Sequence, residues 1–292
     1  MPKPKPELTT IFGIKCEEGL VMCGDSQTTG EAKESAIKIT QIGDHALLGC
    51  SGNELYIPLL ENTFKDKFDP DSDNPKDYEK SIAESVRAYA REVARDMKAG
   101  GVSRNEEGEV PNLYRTDAVL GFSDLAFNTH LYRIAAPYGY RESLKPPFRI
   151  SVGSGGIYSN FILKNVEEQV FNVVNLGWQD LKIQEVIQFS AFLLNAVGQY
   201  EKNTSGRGNF WILSKVSREP HEMTDSEIWG EPYPMGSLRI FIKTVLSHHE
   251  EQAKKWMLSY IDMETIFAYF DAYNKATDEH NKRVKASEDA SR

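Results

Sequence analysis

Apolar residues in the first fifty positions come in short runs broken by turn residues, a spacing that predicts strands. "TTIFGIKC" is followed by Glu17-Glu18-Gly19 and then "LVMCGDS", two strands flanking a glycine-containing turn as in a hairpin. "AIKITQI" and "HALLGCSG", joined through Gly43-Asp44, make a second pair. The period then changes. Tyr78, Ile82, Val86, Tyr89, Val93 and Met97 recur at spacings of three and four and predict one apolar helix face. The Asp/Pro-rich "FDPDSDNPKD" before it reads as the loop that feeds this helix.

After a polar loop at 99–112, strand patterns return in "TDAVLGFS", "NTHLYRIA" and "FRISVGSGG". Two helical stretches follow. Residues 157–175 are loosely patterned, whereas Ile183, Val186, Ile187, Ser190, Leu194 and Val197 form a clear stripe. "NTSGRGNFWILSKV" is a glycine turn leading into a strand, and "SLRIFIKTVL" is a further strand pattern. The order of strands, helices, strands, helices, strands and helix predicts an α+β domain with antiparallel sheets and helices on their outer faces. Three segments result: a Pro/Lys-rich tail at 1–8, the domain at 9–246 and a C-terminal helical extension at 247–292. In the extension, Trp256, Tyr260, Met263, Phe267 and Phe270 recur at helical spacing, and the charged end is expected to fray.

Composition narrows the function classes. The chain has 292 residues, 40% hydrophobic and 26% charged, enough for one large domain with an appendage. No window approaches the roughly 20 consecutive apolar residues of a membrane span, and residues 1–8 lack the apolar run of a secretory signal. A net charge of -9 gives no electrostatic footprint for nucleic acid. Cys16, Cys23 and Cys50 are an odd set within apolar stretches, which fits reduced, buried thiols and a cytoplasmic location. His248-His249-Glu250-Glu251 is not read as a metal site, because adjacent histidines point to different faces of a helix. No cofactor is expected, and no glycine-rich lysine motif for a nucleoside triphosphate is present.

Chemistry concentrates at one sheet edge. In an antiparallel sheet the start of the first strand, the end of the second and the start of the third lie together. Thr9 or Thr10, Asp25 and Lys38 occupy those three places. Each alone has an ordinary reading: β-propensity for the threonines, a turn cap for the aspartate, a solvated edge for the lysine.

Together, "TTIFGIKCEEGLVMCGDSQTTG", "KITQIGDHALLGCSG", "VGSGGIYSN" and "NTSGRGNFWIL", in this order, resemble the proteasome β-subunit family, which includes the peptidase subunit of the bacterial two-component protease. The resemblance covers roughly residues 9–216. It implies the four-layer αββα sandwich of the N-terminal-nucleophile hydrolases. Carried over position by position, it makes Thr9 the nucleophile, with Asp25 and Lys38 setting it up, Ser154 beside its α-amino group and Ser205 in the later glycine turn. It implies an oxyanion site near Gly153 and Gly155, and Thr29 as a substrate-binding residue. The chain departs from the family pattern in having Leu8 before Thr9 where glycine is preferred. It also has Lys202 where an aspartate often stands, with Glu201 one residue earlier.

The implied activity is threonine-dependent hydrolysis of peptide bonds after autoproteolytic removal of Met1–Leu8. The substrate would be a peptide or unfolded protein. A free α-amine is a compact base with an unperturbed pKa near 8, and a neighbouring ammonium lowers it. The resemblance further implies a homo-oligomeric ring and a separate ATP-dependent unfoldase as partner. Two alternatives stay open: a transpeptidase using the same acyl-enzyme, and a non-catalytic or latent assembly subunit that keeps its leader.

Overall fold

A computed structural model describes residues 9–25, 38–71, 74–105, 108–142, 148–172, 176–200, 208–224 and 228. All of them fall in the first of the two units into which the chain divides, Met1–Ser237 and Leu238–Arg292. The hairpin expected at the start is present: β1 (Ile11–Cys16) pairs with β2 (Gly19–Asp25) from Ile11↔Gly24 to Cys16↔Gly19. Gly19 belongs to the strand, so only Glu17 and Glu18 form the turn.

Both hairpin strands acquire a second neighbour. β8 (Arg149–Val152) pairs with β1, and β9 (Gly208–Ser214) pairs with β2, with β10 (Pro220–Glu222) outside β9. The first sheet therefore runs β10-β9-β2-β1-β8. The second is a meander in chain order: β3 (Ile39–Ile42), β4 (Ala46–Gly52), β5 (Thr116–Ser123), β6 (Thr129–Ala136) and β7 (Gly139–Glu142). Every pairing in both sheets is antiparallel.

The sheets pack face to face. Ile11, Leu20, Met22, Ile150, Val152 and Leu213 of the first sheet meet Ile39, Leu47, Val119 and Leu131 of the second. Because strand side chains alternate, the opposite set from the second sheet points to its other face. There Ala46, Leu48, Cys50, Ala118, Leu120, Phe122, Tyr132 and Ile134 pack under α1 (Ile57–Lys67) and α2 (Pro75–Ala99). The stripe from Tyr78 to Met97 is buried as its period requires. Asn74 caps α2, its side chain accepting the Lys76 N–H at 3.1 Å. On the outer face of the first sheet lie α3 (Gly156–Val166) and α4 (Ile183–Tyr200), the latter with Val186, Ile187, Leu194 and Val197 buried. The result is an α+β sandwich of four layers, helices, sheet, sheet, helices, consistent with the N-terminal-nucleophile hydrolase fold.

Three elements escaped the reading of periodicity. α1 buries only Leu60, Thr63 and Phe64, too few turns of stripe to separate it from a loop. β7 and β10 are edge strands of four and three residues whose side chains are mostly half-buried or exposed, so they carry no alternation. The strand expected in "SLRIFIKTVL", the leader at 1–8 and the aromatic stripe from Trp256 to Phe270 lie outside the described residues. Among the described residues no helix is long and apolar enough to cross a membrane, and no group of three His, Cys, Asp or Glu side chains is arranged to hold a metal ion.

All three cysteines are free and buried. Burial pushes the Cys16 thiol up to about 12 and the Cys23 and Cys50 thiols well above their usual range. A thiolate is therefore scarce at neutral pH, and the thiol is also shielded. Native protein at pH 8 is expected to take up no iodoacetamide over an hour, whereas denatured protein takes up three equivalents, read by intact mass. Fast labelling of native Cys23 or Cys50 would contradict the packing.

Candidate active site

The antiparallel register carries Thr9 and Thr10 to the end of β2. The Asp25 N–H donates to the Thr10 carbonyl at 2.9 Å, extending the β1/β2 ladder past Ile11. In return the Thr10 N–H donates to Asp25 Oδ1 at 2.7 Å. Lys38 enters from the other sheet, one residue before β3. Its backbone is fixed there by the Cys50 N–H, which donates to the Lys38 carbonyl at 3.0 Å.

The Lys38 side chain bridges the two sheets. Its Nζ donates to Asp25 Oδ1 and Oδ2 at 3.1 and 3.2 Å and to Thr9 Oγ1 at 3.0 Å. Asp25 is fully buried, and the Lys38 side chain is 10% exposed. A charged pair with so little water is held by direct hydrogen bonds, and its field acts on the Thr9 hydroxyl with little screening. Thr9 itself is almost completely buried.

The turn after β8 closes the site from the opposite side. The Thr9 N–H donates to Ser154 Oγ at 3.1 Å, and the Gly155 N–H donates to the Thr9 carbonyl at 3.3 Å. Gly153 has φ +89°, and a Cβ there would collide with the Thr9 carbonyl. A Cβ on Gly155 would collide with Thr10 Oγ1, a buried hydroxyl without a hydrogen-bond partner among the described residues. Glycine at both positions lets the turn lie directly against the two threonines. The turn is held at each end. Ser151 Oγ on β8 pairs with Ser159 Oγ on α3 at 2.5 Å, and Arg149 pairs with Glu167 through two nitrogens at 2.5 and 2.9 Å.

The structure thus gathers Thr9, Asp25, Lys38, Ser154, Gly153 and Gly155, but not on the single sheet the strand order suggested: β3 lies in the second sheet, and Lys38 joins the others across the sandwich. Ser205 and Thr29, with Glu201 and Lys202, lie outside the described residues. The Gly155 N–H, expected to face an oxyanion, is engaged by the Thr9 carbonyl, and the Gly156 N–H by the Gly153 carbonyl.

Two neighbours on β4 were not singled out from sequence. Ser51 Oγ would lie 3.1 Å from a Cβ on Gly153. Gly52, two residues beyond Cys50, has its N–H on the strand edge through which Cys50 reaches Lys38, since alternate residues direct their N–H groups the same way. The signal was "GCSG" at a strand end that faces Thr9; spacing alone did not reveal which face it met.

Asp25→Ala removes the carboxylate from a buried ammonium and from the Thr10 N–H. An uncompensated charge of this kind costs about 3–5 kcal/mol. The expected outcome is a matching fall in unfolding free energy by urea denaturation, with a loss well under 1 kcal/mol arguing against a dry pair.

No curated protein matches the chain. The family model described as "Proteasome subunit" matches residues 8–55, the segment that contains Thr9, Asp25, Lys38 and Gly52, and this match supports a place for the chain in the proteasome family.

Proposed function

We propose that this protein is a threonine-dependent peptide hydrolase in which Thr9, freed at its nitrogen, is the nucleophile. The observation that carries the reading is Lys38 Nζ held 3.0 Å from Thr9 Oγ1 by a fully buried Asp25. An ammonium in that place stabilises negative charge growing on the hydroxyl oxygen, and a site sheltered from water strengthens the effect. The match to the proteasome-subunit model over residues 8–55 supports the same class, since that family consists generally of threonine peptidases.

The chemistry follows from the geometry. Removal of Met1–Leu8 turns the Thr9 amide into an amine 3.1 Å from Ser154 Oγ. That amine takes the proton of Thr9 Oγ1 as the oxygen adds to the substrate carbonyl. The tetrahedral oxyanion is met by backbone donors near Thr9, for which the Gly52 N–H, on the same side of β4 as the Cys50 N–H that binds Lys38, is the candidate. Collapse expels the substrate amine, which takes the proton back from the Thr9 ammonium and leaves an acyl ester on Thr9. Water, deprotonated by the same amine, adds to the ester and releases the acid. An incoming amine in place of water gives transpeptidation through the same intermediate.

A second reading rests on Leu8. While Leu8 is joined to Thr9 the nitrogen is an amide and is no base, so a chain that keeps its leader is a latent or non-catalytic subunit. Self-association is part of both readings. Ile157 and Phe161, one turn apart on α3, are 77% and 70% exposed, an apolar face that a ring of like subunits would cover. An ATP-dependent unfoldase would have to be a separate chain.

Intact mass of protein purified without an amino-terminal fusion separates the readings: loss of Met1–Leu8 is expected, and its retention favours the latent subunit. Thr9→Ala is expected to block both leader removal and labelling by an electrophile selective for N-terminal threonine, with the fold unchanged by circular dichroism. Lys38→Ala is expected to lower kcat/KM by roughly a hundredfold to a thousandfold. Peptidase activity surviving Thr9→Ala would remove the assignment.

A further inference from the structure

Beside the nucleophile there is a second acid that the proposed chemistry leaves unused. Glu61 stands in the second turn of α1, which packs over the helix-facing side of β3 and β4. Its Oε1 accepts the Thr40 hydroxyl at 2.7 Å. Thr40 follows Lys38 by two residues along the same strand, a displacement of about 7 Å. Across the strand pair, Cys50 is opposite Lys38, and Glu61 acts on it too: after burial, the Glu61 charge is what pushes the Cys50 thiol up. Thr40, Cys50 and Glu61 thus form one corner on β3 and β4, two residues along the strand from the Lys38 that touches the Thr9 hydroxyl.

The carboxylate in this corner differs from that of Asp25. Asp25 is fully buried, with Lys38 on both of its oxygens. Glu61 is half-buried and forms no ion pair with any described residue, although Lys65 lies one turn further along α1. One oxygen is fixed by Thr40 and so sets the rotamer. A carboxylate held through one oxygen by a neutral hydroxyl has further lone pairs that a cation could meet. Anchoring α1 to β3 needs only a hydrogen bond, which an amide would supply equally well; the charge is what a purely structural role leaves unexplained.

We infer that Glu61 selects the substrate: the site prefers peptides with a lysine or arginine side chain on the residue whose carbonyl Thr9 attacks, the cation being received by Glu61. This rests on Thr9 as the nucleophile. A lysine or arginine side chain is about as long as the two-residue displacement from Lys38 to Thr40 along the strand, and its charge opposes that of Glu61 in a partly sheltered place. Lys38 does not cancel the attraction, because its own charge is matched by Asp25.

The test uses the full chain and capped tripeptide epoxyketones ending in arginine, leucine or glutamate, with modification of Thr9 followed by peptide mass. The arginine probe is expected to label Thr9 about tenfold faster than the leucine probe, the effect of one charge pair. Glu61→Gln, which keeps the Thr40 bond, is expected to bring that ratio near one while the leucine rate stays unchanged. Glu61→Lys is expected to turn the preference toward the glutamate probe. Equal labelling by the arginine and leucine probes in the unmodified protein, or an arginine preference that survives both substitutions, overturns the inference while leaving Thr9 as nucleophile. Failure of every probe to label Thr9 overturns the nucleophile itself, and the selectivity with it.

Discussion

Asp25 is a carboxylate with no exposure to water, and the rest of the site is arranged around that fact. Taking such a group out of solvent costs several kcal/mol unless its charge and lone pairs are matched. Lys38 supplies the charge from the other sheet, and the Thr10 N–H supplies a donor from the adjoining strand. The pair therefore requires the two sheets to meet at one relative position. It also requires the chain before β1 to stay extended for two residues past the last regular pair. Thr9 is placed by these two demands: its backbone continues the strand, and its hydroxyl receives the remaining reach of the Lys38 ammonium.

The turn after β8 imposes the second constraint. It must pass close enough to Thr9 for Ser154 to accept the Thr9 N–H and for Gly155 to donate to the Thr9 carbonyl. That closeness excludes side chains at 153 and 155. The turn has few internal bonds, and its rigidity is borrowed from its flanks. Ser151 and Ser159 are joined at its base, while Arg149, Glu167 and Trp178 are joined where β8 enters and α3 leaves. Thr9 is thus fixed from three sides, by β2, by Lys38 and by this turn, and a hydroxyl held in this way loses little freedom in the reaction proposed for it.

The sequence by itself determined the elements with regular periods and the meeting of Thr9 and Asp25 at the open end of the first hairpin. The hairpin strands, the first four meander strands β3 to β6, α2 and α4 were legible because each repeats a period of two or about 3.6 over enough residues to be counted. Thr9 and Asp25 were legible together because antiparallel pairing returns the end of β2 to the start of β1; the single-sheet expectation for Lys38 does not hold, since β3 lies in the second sheet and Lys38 reaches the pair across the sandwich. Ser154 was found through resemblance, and geometry then joined it to Thr9. Missing were α1, whose buried stripe is one turn and a half, and β7 and β10, whose edge positions erase alternation.

Only the tertiary structure decided what those residues do to one another. That Lys38 serves Asp25 and Thr9 together depends on how far the two sheets approach, a distance fixed by the bulk of Ile11, Met22, Ile39 and their neighbours between them. That the Gly155 N–H is taken by the Thr9 carbonyl, and the β4 end with Ser51 and Gly52 faces the same corner, follows from strand register and loop path. Glu61 enters the corner only because α1, unseen in the sequence, lies across β3 and β4. Periodicity records which side of an element is buried; distances between elements come from packing, where each side chain's volume counts against all the others at once.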